Sequence, residues 1–164
     1  MWTYNLGEVI VISTKHYYDP LTGVVSNAKG KPLGSFTRKY GRIAVNGRPE
    51  YIHKYIFFLV EGVWPDCEVD HKDLDTHNNR WGNLRKCSRQ KNMCNKGAYK
   101  NSKSGYKGVY LDRGKFVATI QCDGKRLYLG RSSSAEECAV MYDEAATRLH
   151  GEFANLNFKE GKYN

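Results

Sequence analysis

The chain has 164 residues, with 26 Lys+Arg against 17 Asp+Glu and a formal net charge of +9. Its 40% hydrophobic and 13% aromatic content is too rich for a disordered chain, so at least one packed core is expected. No apolar run approaches the ~20 residues that span a bilayer, and Met1-Trp2-Thr3-Tyr4 has no basic segment ahead of an apolar one, so neither a membrane helix nor a signal peptide is expected.

Five cysteines (67, 87, 94, 122, 138) stand in no Cys-x-x-Cys pair. The odd count and the spacing argue against a disulfide scaffold and a cysteine zinc site, and for buried thiols in a reducing cytoplasm.

Along the chain, residues 7–60 read first as short strands: Glu8–Ser13, Gly23–Ser26, and Tyr40–Asn46 before the turn signal Asn46-Gly47. Tyr51–Val60 (YIHKYIFFLV) is long and bulky enough to favour a buried helix over a strand. His53 within it reads as a packed core histidine. A polar region, Asp66–Leu84, follows, with Trp81 as an anchor, Asp73 and Asp75 shaping the loop, and His77 exposed. A short helix is expected over Ser88–Asn95. The small polar stretch 96–105 has no periodicity and reads as a linker.

Beyond it, Tyr106–Leu111, Lys115–Cys122 and Arg126–Gly130 read as three strands, joined by Asp112-Arg113-Gly114 and by Asp123-Gly124. Phe116, Ala118, Ile120, Leu127 and Leu129 alternate with Val117, Thr119, Gln121, Arg126 and Tyr128, which gives one apolar and one polar face. Ser134-Ala135-Glu136-Glu137 is a capping box. It opens a helix whose Cys138, Met141, Tyr142, Ala145 and Leu149 recur at helical spacing down to Gly151.

The charge is concentrated. Residues 80–115 carry eleven basic side chains and one acid, Asp112, a net of +10, so the remainder sums to −1. Trp81, Leu84, Tyr99 and Tyr106 interleave with this block, as do the amides Asn92 and Asn95. That mixture suits a surface for phosphate backbones better than a solvated tail. Double-stranded DNA is the expected partner; a membrane surface lacks an anchoring helix, and no obligate protein partner is evident. RNA is a weaker reading, which phosphate contacts do not exclude.

Just ahead of the block stands Asp70-His71. Asn83 follows twelve residues after His71, and Asn92 nine after that. Phosphodiester hydrolysis needs a base for water and a cation for the phosphate and the departing oxygen. An imidazole serves as base near neutral pH, and a carboxylate with an amide oxygen suits Mg²⁺.

The string VDHKDLDTHNNRWGNLR followed by KNMCN resembles the HNH endonucleases, in particular the homing-type members of bacteriophages and introns. That resemblance implies a ββα-metal core around one Mg²⁺ or Mn²⁺. His71 would be the general base, Asp70 and Asn92 the metal ligands, and Asn83 the brace of the histidine loop. The third motif position is Asn rather than His, and an amide still ligates Mg²⁺. Arg85, Arg89 and Lys91 would contact DNA, Arg85 being equally suited to the scissile phosphate.

Residues 106–158 resemble the Apetala-two/ethylene-response-factor type of DNA-binding domain. The likeness runs through Tyr106-Lys107-Gly108-Val109, Gly114–Ala118, Tyr128-Leu129-Gly130, Tyr142–Ala146, His150–Ala154 and Asn157-Phe158. It implies a βββα fold whose open sheet face lies in the major groove, with Lys107, Tyr110, Lys115, Thr119, Gln121, Arg126 and Tyr128 reading or positioning DNA.

The expected whole is an α+β protein: a nuclease domain with N-terminal antiparallel strands over 1–95, a flexible basic linker over 96–105, a DNA-binding domain over 106–158 and a tail over 159–164. Its expected activity is metal-dependent hydrolysis of DNA phosphodiester bonds. The alternative is a non-catalytic DNA-binding regulator that keeps both folds, against which the joint presence of Asp70, His71, Asn83 and Asn92 speaks.

Overall fold

A computed structural model describes residues 16–98 and 102–158 as mixed α+β, with every strand pairing antiparallel. The strand expected over Glu8–Ser13 and the centre of the expected linker lie outside the described residues. The chain divides into two units, Met1–Arg89 and Gln90–Asn164.

In the first unit, β1 (His16–Tyr18) pairs with β2 (Val25–Asn27), and β3 (Arg42–Val45) with β4 (Arg48–Tyr51). The turn between β3 and β4 is the expected Asn46-Gly47, both residues at positive φ (50° and 78°). That geometry matches the twist of the flanking strands. Neither β1 nor β4 is anticipated from the sequence. β1 is three residues long, and β4 carries Pro49, which a two-stranded edge tolerates because its missing N–H faces outward.

Helix α1 (Ile52–Glu61) occupies the bulky run, though no side chain caps its N-terminus and no charge favours either end. Burial replaces caps: Ile52, His53, Tyr55, Ile56, Phe57 and Leu59 are all buried. Apolar side chains of this size each contribute roughly 1.5–3 kcal/mol when fully buried, which outweighs a missing cap at about 1 kcal/mol. This helix forms the core with Tyr18, Val25, Ile43, Val69 and Leu84. Next come β5 (Glu68–His71) and β6 (Leu84–Cys87), a hairpin whose long loop ends in a single 3₁₀ turn, Trp81–Asn83. Trp81 packs on Phe57 with ring centroids 4.8 Å apart, anchoring that loop to α1.

The second unit opens with α2, Arg89–Cys94, which straddles the division. Three strands follow, β7 (Val109–Asp112), β8 (Lys115–Cys122) and β9 (Lys125–Ser132), in the order β7-β8-β9. Helix α3 (Ala135–His150) covers one face. Ser134 caps it by accepting from the Glu137 N–H. Its fully buried Ala139, Ala145 and Ala146 let it lie close on Ala118 and Ile120.

One expectation about this sheet needs correcting. Val117, assigned to the polar face, is buried there, directly opposed by Tyr110 and Arg131. Leu127 stands opposite the buried Ile120, on the apolar face as expected, though it is 40% exposed; a register shift at Ala118/Thr119 makes Leu129 the extra residue, and Leu129 and Gly130 lie against α3.

All five cysteines are free thiols. Among the described residues, no helix is long and apolar enough to cross a membrane.

Candidate active site

In the β5–β6 register, Asp70 faces Arg85 and His71 faces Leu84. Directly opposed residues share a face, so the guanidinium reaches the carboxylate: Arg85 Nε and Nη2 donate to Asp70 Oδ2 at 3.0 and 2.8 Å. Both side chains are under 10% exposed. A buried ion pair of this kind fixes geometry more than it stabilises. Arg85 therefore stands on Asp70.

His71 is 3% exposed. Its Nε2 lies 3.1 Å from Asn79 Oδ1, and its ring meets His53 edge-on, centroids 5.2 Å apart. Burial holds the His71 pKa below the ordinary histidine value, against the Asn79 hydrogen bond and the nearby Asp73, Asp70 and Asp75, which raise it. The imidazole is thus neutral near pH 7.

Asn83 ties the neck of the 72–83 loop. Its side chain accepts from the Asp73 N–H at 3.1 Å and donates to Asp73 Oδ1 (2.9 Å) and to the Asn78 carbonyl (2.7 Å). Its own carbonyl accepts from the Lys72 N–H. The amide on the imidazole is Asn79, 2% exposed, which the sequence reading passed over. An Asn-Asn pair in a polar loop reads as turn chemistry, and nothing local marks one of the two as buried. The exposed His77 accompanies this loop, its Nε2 3.1 Å from the Arg38 carbonyl.

His53 sits at the start of α1 with its pKa pushed down to about 3, mainly by burial and then by His71 and Lys54. The unfolded chain binds this proton near pH 6.5, the folded one only near 3. Stability from the neutral ring is therefore complete above pH 6.5 and falls as pH drops through that window, by at most ~1.4 kcal/mol per unit. Urea midpoints at pH 7, 5 and 4 should decline, and His53→Gln should decline less steeply; parallel declines would contradict this.

Asp70 offers hard oxygen, the donor a divalent cation such as Mg²⁺ prefers. Among the described residues, no group of three or more His, Cys, Asp or Glu side chains is placed to hold a metal. Asp70 is thus a lone carboxylate and not part of a closed protein cage. Asn92 is a half-buried residue of α2, in the second unit. Arg89 and Lys91 are exposed, with the Lys91 ammonium 5.0 Å from the Phe153 ring centroid.

On the sheet, Thr119 opposes Tyr128 and Gln121 opposes Arg126, so these four form one cluster on the face away from α3. Tyr128 is 64% exposed and Tyr110 45%; Gln121, Arg126 and Lys115 are exposed too. Lys107 differs from these. It is half-buried, with its ammonium on the Cys94 carbonyl and over the Tyr142 ring, and burial lowers its pKa to about 8.

The model of an HNH endonuclease family matches residues 50–94. Over the C-terminal region, dehydration-responsive element-binding protein 2C of Arabidopsis thaliana is 45% identical over 78 residues, covering 46% of this chain and 23% of that protein. Protein 2E of Oryza sativa subsp. japonica is 48% identical over 65 residues, covering 38% and 20%. The chain thus spans less than a quarter of the length of these relatives. Among solved structures, one that describes DNA binding and cleavage by the HNH homing endonuclease I-HmuI aligns at 22% identity over 85% of this chain and 80% of that one, TM-score 0.42.

Asp70 and His71 thus lie in the segment that matches an HNH endonuclease family model. That segment is followed by a C-terminal region similar to plant dehydration-responsive element-binding proteins.

Proposed function

We propose that this chain is a metal-dependent endonuclease acting on double-stranded DNA. His71 is the general base, and the open face of β7-β8-β9 contacts the duplex. The observation that carries the reading is a buried, neutral histidine hydrogen-bonded to Asn79, one residue from an arginine-held carboxylate and inside the HNH segment. His71 takes a proton from water as the water oxygen bonds to phosphorus and the P–O bond to the departing oxygen breaks. Arg85 orients the Asp70 carboxylate, and Asn83 holds the loop that follows the base. Asp70 and Asn92, the ligands that the HNH resemblance implies, would hold a divalent ion, which when bound would supply charge stabilisation for the phosphate. On the sheet, Tyr110, Lys115, Thr119, Gln121, Arg126 and Tyr128 are the groups offered to DNA; the element-binding names of the plant relatives support this reading.

The test is a mapped cleavage assay on duplex DNA with Mg²⁺ or Mn²⁺, with and without EDTA. Cutting that EDTA abolishes is expected; binding without cutting in either metal would favour a regulator. Asp70→Ala and Asn92→Ala should each raise the metal concentration for half-maximal cleavage, and an unchanged titration would remove them as ligands.

A further inference from the structure

We propose that Asn79, held in place by Tyr18 of the first hairpin, is a positioning residue that fixes His71 as its Nε2–H tautomer and leaves the ring's lone pair on Nδ1. The inference deepens the nuclease reading and rests on it for its catalytic consequence, though not for its geometry.

The amide of Asn79 has two neighbours. Its Nδ2 lies 3.2 Å from the His77 carbonyl, and its Oδ1 lies 3.1 Å from His71 Nε2. A carbonyl only accepts, so the amide must present its nitrogen there and its oxygen to the imidazole. The amide oxygen also only accepts, so Nε2 carries the hydrogen. The neutral ring has one N–H, which assigns the lone pair to Nδ1.

The backbone of Asn79 is clamped just as tightly. Tyr18, fully buried on β1, donates its hydroxyl to the Asn79 carbonyl at 2.8 Å. Arg80 Nε donates to the Leu21 carbonyl at 2.8 Å, and the Trp81 N–H to the Pro20 carbonyl at 3.1 Å. Gly23, at φ +78°, lies so close that a Cβ there would stand 2.6 Å from both Asn79 C and Arg80 N. The β1–β2 hairpin thus presses its turn onto residues 79–81. It lies outside the HNH segment at 50–94, yet it sets the residue that touches the base.

The test reads the ring directly. Long-range ¹H–¹⁵N spectra of the folded, full-length protein at neutral pH, without DNA, should show His71 as a single Nε2–H tautomer, assigned by comparison with His71→Gln. Asn79→Ala should give mixed tautomers and a lower kcat with KM nearly unchanged. Tyr18→Phe, which keeps the ring's volume, should lower kcat roughly 2- to 10-fold, the worth of one buried hydrogen bond. A wild-type His71 protonated at Nδ1 would overturn the assignment even if both variants misfold. Wild-type tautomer and kcat retained in Asn79→Ala would overturn the positioning role. If the protein does not cut DNA, the nuclease reading fails while the spectrum still decides the tautomer.

Discussion

His71→Ala should lower the rate of DNA cleavage by about 10²- to 10⁴-fold, the usual contribution of a general base, while DNA affinity stays within a few-fold. The asymmetry follows from placement. The imidazole is 3% exposed and neutral, so it adds no charge to a phosphate-binding surface. The basic residues from 80 to 115 carry a net of +10 and are untouched. Nonspecific affinity comes from such phosphate contacts, whereas proton removal from water comes from one group. Removing a buried ring also opens a cavity beside His53, so thermal unfolding must be followed alongside. His71→Gln, closer in volume, should cut as poorly as the alanine variant but melt nearer the wild type. Activity equal to wild type in either folded variant would remove His71 as the base.

Why Asp70 and His71 were legible and Asn79 was not comes down to what local sequence encodes. The pair ends a strand, and its spacing to Asn83 and Asn92 is a pattern in one dimension. Arg85 was legible only as a cation for DNA or the scissile phosphate, since the register that sets it opposite Asp70 depends on where the 72–83 loop closes. Asn79 acquires its place from Tyr18 and Gly23, more than fifty residues upstream, and no local periodicity carries that information. Elements with strong local chemistry came through: the Asn46-Gly47 and Asp123-Gly124 turns, with Asp123 at φ 49°, and the Ser134 cap. In α1, the density of buried side chains signalled the helix but could not place its uncapped ends. Alternation breaks on β9 only after Tyr128, where a register shift adds Leu129, while Leu127 keeps its place opposite Ile120. Lys107 looked like a sheet-face cation, and only the packed structure shows its ammonium turned to a carbonyl.

Asp143→Ala should destabilise the second unit by about 2–5 kcal/mol, since buried N–H donors left unsatisfied cost about 1–3 kcal/mol each, and should weaken DNA binding through loss of fold. Asp143 is 2% exposed on α3. One carboxylate oxygen accepts from the Asn157 N–H at 2.8 Å and from its Nδ2 at 3.1 Å; the other accepts from the Phe158 N–H at 2.8 Å. Asn157 in turn accepts from the Lys107 N–H at 2.6 Å and donates to the Lys107 carbonyl at 3.2 Å. One buried carboxylate therefore latches the end of the domain to α3 and, through Asn157, to the approach to β7. This gives a physical reason for Asp143 and Asn157-Phe158 to stand in the strings that carry the Apetala-two likeness. With domain stabilities of about 5–15 kcal/mol, losing the latch removes a large share. A shallower or earlier second-unit transition in urea, with cleavage spread over more sites, is the expected readout. Asp143→Asn keeps an acceptor for Asn157 but turns an N–H toward the Phe158 N–H, so it should recover only part of the loss. Full recovery by asparagine would show that shape alone, without the second acceptor, holds the segment.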